Sequence, residues 1–148
     1  MSATATAFKP KRTSHRPQQW STITLLANVS SWAFECMAKI SEFAQLPQNW
    51  DSYGSNPVTP DALRMARKFL SESPLALIPE PSVSPVSGGG LGFHWRVETR
   101  DLEIEFLPDG SVEYIKTVRT PEGSKSDEGI VDNFSDKKIW YWLAGELT

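Results

Sequence analysis

The sequence predicts an α+β domain, with N-terminal helices packed on a three- to four-stranded antiparallel meander and a C-terminal helix. Apolar residues recur at helical spacing within residues 22–44. Apolar and polar residues alternate in three short segments between residues 93 and 114, which is typical of half-buried strands. A cluster of large aromatic residues at 140–142 indicates a further amphipathic helix.

The charges are distributed unevenly along the 148 residues. Residues 1–20 contain no acidic residue, and residues 21–148 hold 11 basic and 18 acidic residues, a net charge of −7. We therefore expect a disordered basic arm over residues 1–20 and a single α+β domain over residues 21–148. The basic residues of the arm are Lys9, Lys11, Arg12 and Arg16.

Cellular location is predicted from cysteine content and from the lack of long apolar segments. Cys36 is the only cysteine, which fits a reducing compartment. No apolar run approaches the roughly 18 residues that suggest a membrane span, and the basic arm is not followed by the apolar segment of a secretion signal. A cytoplasmic protein without membrane contact is expected.

Two helices are predicted before the sheet. The first covers about residues 22–44, and the second begins after Thr59, with Pro60 at its first position, and ends near Ser73. The apolar stripe of the first helix consists of Leu26, Val29, Ala33, Cys36, Ile40 and Phe43.

Turn residues predict how the strands pair. Residues 74–90 form a proline-rich connector with a short edge strand around residues 83–86. The sequence at 108–110, Pro-Asp-Gly, predicts a three-residue hairpin loop that pairs Phe106 with Val112. A tight turn around Thr99 and Arg100 would pair Val97 with Leu102.

The C-terminal part is predicted to be a polar loop over residues 120–132, followed by a helix. Ser135 would cap this helix, and Phe134 and Ile139 would form a hydrophobic staple. The three consecutive aromatic residues at 140–142 cannot all be buried on one face of a helix. Either Trp140 and one neighbour are partly exposed, or both faces of the helix are packed.

The predicted pairing gathers charged residues on the outer face of the sheet. It puts His94, Glu105 and Glu113 in one row, with Arg96 beside Glu103 in the next. Two carboxylates and a histidine are the minimum parts of a general acid–base site. An open sheet face excludes no water, so a protein-binding patch and a merely solvated face are the alternatives.

The loop from Leu46 to Pro57 is the most distinctive segment. Its sequence at 49–54, Asn-Trp-Asp-Ser-Tyr-Gly, allows two interpretations. In the structural one, the rings anchor the loop and Asp51 bonds to turn amides. In the functional one, Trp50 and Tyr53 are contact rings and Asp51 is an acceptor for a ligand or partner.

This segment also carries a resemblance. Residues 43–118 contain Leu46 to Gly54, a proline-rich connector, three glycines at 88–90 and the Asp109-Gly110 hairpin. They resemble a family of small, uncharacterised bacterial and phage proteins, often encoded near mobile elements, with the motif Leu-Pro-x-Asn-Trp-Asp-Gly-Tyr-Gly. Ser52 departs from it, since the family has Gly there. The resemblance supports the predicted fold and implies a bacterial or phage origin, but it identifies no catalytic residues in this sequence.

These observations favour a non-enzymatic interaction protein, such as an antitoxin, immunity protein or inhibitor in the conflict between phage and host. Its acidic surface implies a protein partner with a basic surface. The expected partner-binding residues are Trp50, Asp51, Tyr53, His94, Glu103, Glu105 and Glu113.

Two other functions stay open. The first is nucleic-acid binding through the four basic residues of the arm, which could contact phosphates. The second is a small enzyme that uses His94, Glu105 and Glu113, or Asp51. No phosphate-binding loop, nucleophile motif or metal-ligand spacing accompanies these residues, so neither a cofactor nor a metal is predicted.

Overall fold

The computed structural model describes residues 31–146, so the predicted arm and the predicted start of the first helix lie outside the described residues. The described part of the first helix, α1, covers residues 31–43. The other elements are α2 (Pro60–Glu72), a 3₁₀ turn (Leu75–Leu77), β1 (Ser82–Val86), β2 (Gly90–Val97), β3 (Arg100–Phe106), β4 (Val112–Thr120), β5 (Gly123–Ile130) and α3 (Lys138–Leu143).

The α+β class is confirmed, with one five-stranded antiparallel sheet in the order β1-β2-β3-β4-β5. The predicted edge strand is β1. The predicted polar loop at 120–132 is wrong in its main part, because β5 pairs along β4 from Thr120 opposite Gly123 to Glu113 opposite Ile130. Nearly all of β5 is exposed on both faces, so its sequence lacks the alternation of apolar and polar residues from which a strand is predicted.

The predicted capping of α2 is confirmed. The hydroxyl of Thr59 accepts the backbone N–H of Ala62 at 3.1 Å, and Pro60 occupies the first turn. Asp61 in the same turn adds a favourable charge at the positive end of the helix dipole. The α2 residues that face the core are Ala62, Leu63, Ala66, Phe69 and Leu70.

The strand register confirms one predicted hairpin and corrects the other. Phe106 pairs with Val112, as the Pro-Asp-Gly loop predicts. Val97 pairs with Arg100 and not with Leu102, because the connecting turn contains only Glu98 and Thr99. Glu98 takes a positive φ of 55°, which two-residue hairpin turns use. A shift of two positions keeps each side chain on its predicted face.

The core is an aromatic cluster between the sheet and the helices, centred on Phe69 of α2. Its ring centroid lies 5.4–6.2 Å from five other rings, three of them on strands and two in the C-terminal segment. These partners are Phe93, Trp95, Phe106, Phe134 and Trp140. Such edge-to-face arrangements fix the orientation of α2 on the sheet.

The last helix begins later than predicted, at Lys138, and Ser135 does not cap it. Both the backbone N–H and the hydroxyl of Ser135 donate to Asn133, whereas the carboxylate of Asp136 accepts the N–H of Lys138 at 2.9 Å. Asn and Asp form such local turns more readily than Ser does.

Both faces of α3 are packed. Trp140 and Trp142 are buried, and only Tyr141 between them is exposed, at 36%. Trp140 packs on Trp95, whereas Trp142 lies beneath the charged groups of Arg100 and Lys116. Among residues 31–146, no helix combines the length and apolar character that crossing a membrane requires.

Candidate partner-binding surface

The loop between α1 and α2 is held by its own hydrogen bonds. The N–H of Asn49 donates to the carbonyl of Ser55 at 2.7 Å, and its side-chain oxygen accepts the N–H of Gly54 at 2.6 Å. Asn49, Ser52 and Gly54 all have positive φ, at 66°, 66° and 85°. Ser52 therefore holds a conformation that glycine adopts with less strain.

Asp51 is committed to the interior of this loop. Its carboxylate accepts the hydroxyl and the N–H of Ser55 and, at 2.9 Å, the N–H of Tyr53. These bonds, led by the Ser55 hydroxyl, lower the pKa of Asp51. Ser55 in turn lies 2.7 Å from the hydroxyl of Ser87 in the β1–β2 turn. These contacts favour the structural interpretation for Asp51.

The two aromatic residues of the loop have different environments. Trp50 is half-buried, and its indole N–H donates to the carbonyl of Asn56 at 3.0 Å. Tyr53 is 92% exposed at the tip of the loop. Of the three loop residues expected to bind a partner, Tyr53 offers the most free surface.

The outer face of the sheet does not have the predicted row of His94, Glu105 and Glu113. His94 lies opposite Glu103, because β2 is displaced by two residues against β3 relative to the prediction. Arg96 correspondingly lies opposite Asp101 and not beside Glu103. The predicted pair of Glu105 and Glu113 is confirmed.

His94 belongs to a cluster around Asp101. Its Nε2 lies 3.8 Å from Oδ1 of that carboxylate, which also binds Arg96 at 2.8 Å and Arg119. Burial alone would raise the pKa of Asp101, but the hydrogen bonds and charges of the two arginines lower it. The histidine therefore adjoins a carboxylate that two arginines hold in its ionised form.

Three glutamates on the outer face lack such compensation. Within residues 31–146, no cationic group lies within 4 Å of the carboxylates of Glu103, Glu105 or Glu113. Desolvation, followed by the charges of Glu103 and Glu113, raises the pKa of Glu105. The three glutamates thus form a negative patch whose repulsion the described part of the chain leaves unrelieved.

Two exposed isoleucines lie among these glutamates. On the outer face, Ile115 is opposite Glu103 and Ile130 is opposite Glu113. They are 38% and 62% exposed. We call Glu103, Glu105, Glu113, Ile115 and Ile130 together the outer patch.

Sequence reasoning missed the apolar part of the outer patch. Ile130 falls in the segment predicted to be a loop, so the sequence predicts no sheet face for its side chain. Ile115 follows Glu113 by two positions in β4, which places both side chains on the outer face. A large apolar residue at an outward position was therefore the available signal.

A cavity that the sequence did not predict lies on the inner side of β4 and β5. It is an open cavity of about 400 Å³ with an aromatic floor and charged residues along its lining. The ammonium group of Lys116 in the lining lies 5.2 Å from the centroid of Trp142 and 5.8 Å from that of Tyr114. Because lysine and aspartate side chains both line the cavity, its charges select no single class of ligand.

Other predicted functional groups add no site to the described region. Lys9, Lys11, Arg12 and Arg16 lie outside the described residues. No group of three or more His, Cys, Asp and Glu side chains among residues 31–146 could hold a metal ion. Cys36 is buried, and this burial raises the pKa of its thiol to about 11, which suits a core residue better than a nucleophile.

No family model matches this sequence, and comparisons with curated proteins and with solved structures give no match.

Proposed function

We propose that this chain is a non-enzymatic protein-interaction module that binds a protein partner with a basic surface through the outer patch. The observation that carries this proposal is the placement of exposed isoleucines among uncompensated glutamates. Ile115 and Ile130 offer apolar area whose removal from water favours association. The glutamates supply the charge that steers and selects a basic partner.

The charge state of Glu105 links this binding to pH. Desolvation, followed by the charges of Glu103 and Glu113, raises the pKa of Glu105, and a cationic group of the partner beside Glu105 would offset the repulsion from those two charges. Binding would then lower that pKa and release a proton. The ordinary pKa of a glutamate is 4.5, and we expect the affinity to increase as pH rises from that value through the raised pKa of Glu105.

Tyr53 supplies a second contact. The loop that carries it is tied by Ser55 to Ser87, at the end of the sheet where β1 turns into β2. Glu105 lies opposite Gly92, near that same end of β2. We propose the exposed ring of Tyr53 as a further contact for the partner, made by a hydrogen-bonded loop at little loss of conformational entropy.

The resemblance of residues 43–118 to small bacterial and phage proteins supports a more specific class. We propose that the chain acts as an antitoxin, immunity protein or inhibitor, by covering a protein partner in the cytoplasm. Enzymatic use of His94 with Glu105 and Glu113 finds no support, since the register separates the histidine from both glutamates. Nucleic-acid binding by the arm stays a prediction from the sequence alone.

Co-purification from the native cells tests this function. A tagged chain with Glu105→Gln and Ile115→Ser is compared with wild type and with the control Glu122→Gln, which removes one exposed carboxylate from the β4–β5 turn. We expect one protein to be recovered with wild type and the control and to be lost with the patch variant. Equal recovery with all three chains, or recovery of no partner with wild type, would contradict the proposal.

A further inference from the structure

Within residues 31–146, strand β5 ends the sheet and has no partner along its outer edge. Among the described elements it pairs only with β4, and all of its side-chain positions are exposed except Gly129, which is half-buried. The opposite edge strand, β1, has five residues and contains Pro85. Short strands and proline protect an edge from further pairing, whereas the eight residues of β5 include no proline.

The hydrogen-bond pattern shows which backbone groups of β5 face outward. The N–H of Val131 donates to the carbonyl of Val112 at 2.8 Å, so this is a hydrogen-bonded pair. Such pairs alternate along an antiparallel ladder, which directs every second residue of β5 toward β4. The residues between them, Ser124, Ser126, Glu128 and Ile130, direct their N–H and C=O groups toward the edge that faces away from β4.

A second copy of β5 can satisfy these groups only in certain registers. Two identical edges pair in antiparallel fashion about a two-fold axis perpendicular to the sheet, and each residue then faces one on the same side of the sheet. Centring the axis on Lys125, Asp127 or Glu128 places that charge opposite its own copy. Like charges directly opposite each other are destabilising.

Centring the axis on Ser126 gives a different result. Lys125 of one copy then lies opposite Asp127 of the other, and symmetry repeats this pair on the other side of the axis. Ser126 faces its own copy, and Ser124 faces Glu128, so three of the four outward-directed residues form hydrogen-bonded pairs, and Ile130 extends beyond the start of the partner strand. This register combines complementary charges with hydrogen bonds along most of the edge.

We propose that two copies of this chain associate through β5 in the register centred on Ser126. The dimer would contain one continuous ten-stranded sheet. Because the axis is perpendicular to the sheet, the outer patches of both copies lie on the same side. This inference does not depend on the proposed function, since a dimer could form whether or not the outer patch binds a partner.

Mass measurements by light scattering or sedimentation over a range of concentrations test the dimer. One chain has a mass of 16.5 kDa, so the wild type is expected to approach about 33 kDa as concentration rises. Lys125→Asp puts a carboxylate opposite Asp127 at both pairs, and Asp127→Lys puts an ammonium group opposite Lys125. Each variant alone is expected to remain at the monomer mass at concentrations where the wild type is dimeric.

An equimolar mixture of the two variants provides the decisive comparison. Each variant carries two like charges, of opposite sign in the two chains, so a mixed dimer in the proposed register regains both ion pairs. We expect the mixture to reach the dimer mass. Lys68→Asp, on the exposed surface of α2, changes the charge equally and should dimerise like wild type.

A backbone variant tests the ladder without changing charge. Ser126→Pro removes an N–H that faces the open edge and leaves the bonds to β4 in place. It should lower the dimer fraction at least tenfold, and circular dichroism would confirm that each variant is folded. A wild type that stays monomeric up to millimolar concentration, or a mixture of the charge variants that stays monomeric, would overturn the proposal.

Discussion

Glu105→Gln should stabilise the folded domain at neutral pH. Glu105 lies directly opposite Glu113, and Glu103 is two residues away on the same face of β3. A like-charge neighbour across a strand pair destabilises a sheet by roughly 0.2–1 kcal/mol. With two such neighbours and partial exposure to solvent, we expect the variant to gain about 0.5–1 kcal/mol in free energy of unfolding at pH 7.

The gain in stability from Glu105→Gln should depend on pH, because the pKa of Glu105 differs between the folded and unfolded states. Because the pKa of Glu105 is raised above its ordinary value of 4.5, the folded state holds the proton to higher pH than the unfolded state does. The contribution of Glu105 to wild-type stability therefore falls as pH rises through the window that begins near 4.5, whereas the glutamine variant lacks this loss. Below that window Glu105 is protonated in both the folded and the unfolded state, and the difference in stability between the two proteins should vanish.

Urea denaturation at pH 7 and at pH 3.5, with and without 1 M salt, measures the effect. The salt should reduce the gain at pH 7, because it screens charges beyond about 3 Å. Glu122→Gln in the β4–β5 turn is the matched control and should leave the midpoint unchanged. A glutamine variant no more stable than wild type at pH 7, or a gain that persists at pH 3.5, would refute the explanation.

Three further variants test the fold around the site. Gly129→Ala places a methyl group 2.7–2.8 Å from the ring of Tyr114, so it should lower the free energy of unfolding by about 1–3 kcal/mol, and less in a Tyr114→Ala background. Ser52→Gly removes the strain of a positive φ of 66°. It should increase the free energy of unfolding by about 1 kcal/mol, which a higher thermal midpoint would show. Phe69→Ala removes the ring at the centre of the aromatic cluster and should cost about 3–5 kcal/mol in urea denaturation; a cost below 1 kcal/mol would contradict the described core.

The elements with strong local signals were predictable from the sequence. Thr59 and Pro60 fix the start of α2, and the Pro-Asp-Gly loop fixes the pairing of Phe106 with Val112. The Glu98-Thr99 turn lacks glycine, asparagine and proline, so its position could not be located from turn chemistry. The error of two residues preserved the faces of the sheet but misplaced His94 relative to Glu105.

The fifth strand and the complete outer patch needed the structure. Except for Ile130, residues 123–130 are glycine, serine and charged residues, so β5 has no alternating apolar pattern that could predict its backbone pairing with β4. Gly129 fits this strand because the ring of Tyr114 lies over its backbone. Likewise, only the register brings Ile130 beside Glu113.

A photo-crosslinking residue placed at Ile115 tests most directly whether the outer patch is a binding surface. Irradiated in the native cells, this chain should form one prominent crosslinked product with a protein rich in Lys and Arg at the crosslinked surface. The same residue placed at Lys68, on α2, should form none. Equal labelling from both positions, or no protein product from position 115, would contradict the claim that the acidic, isoleucine-bearing face of the sheet engages a partner.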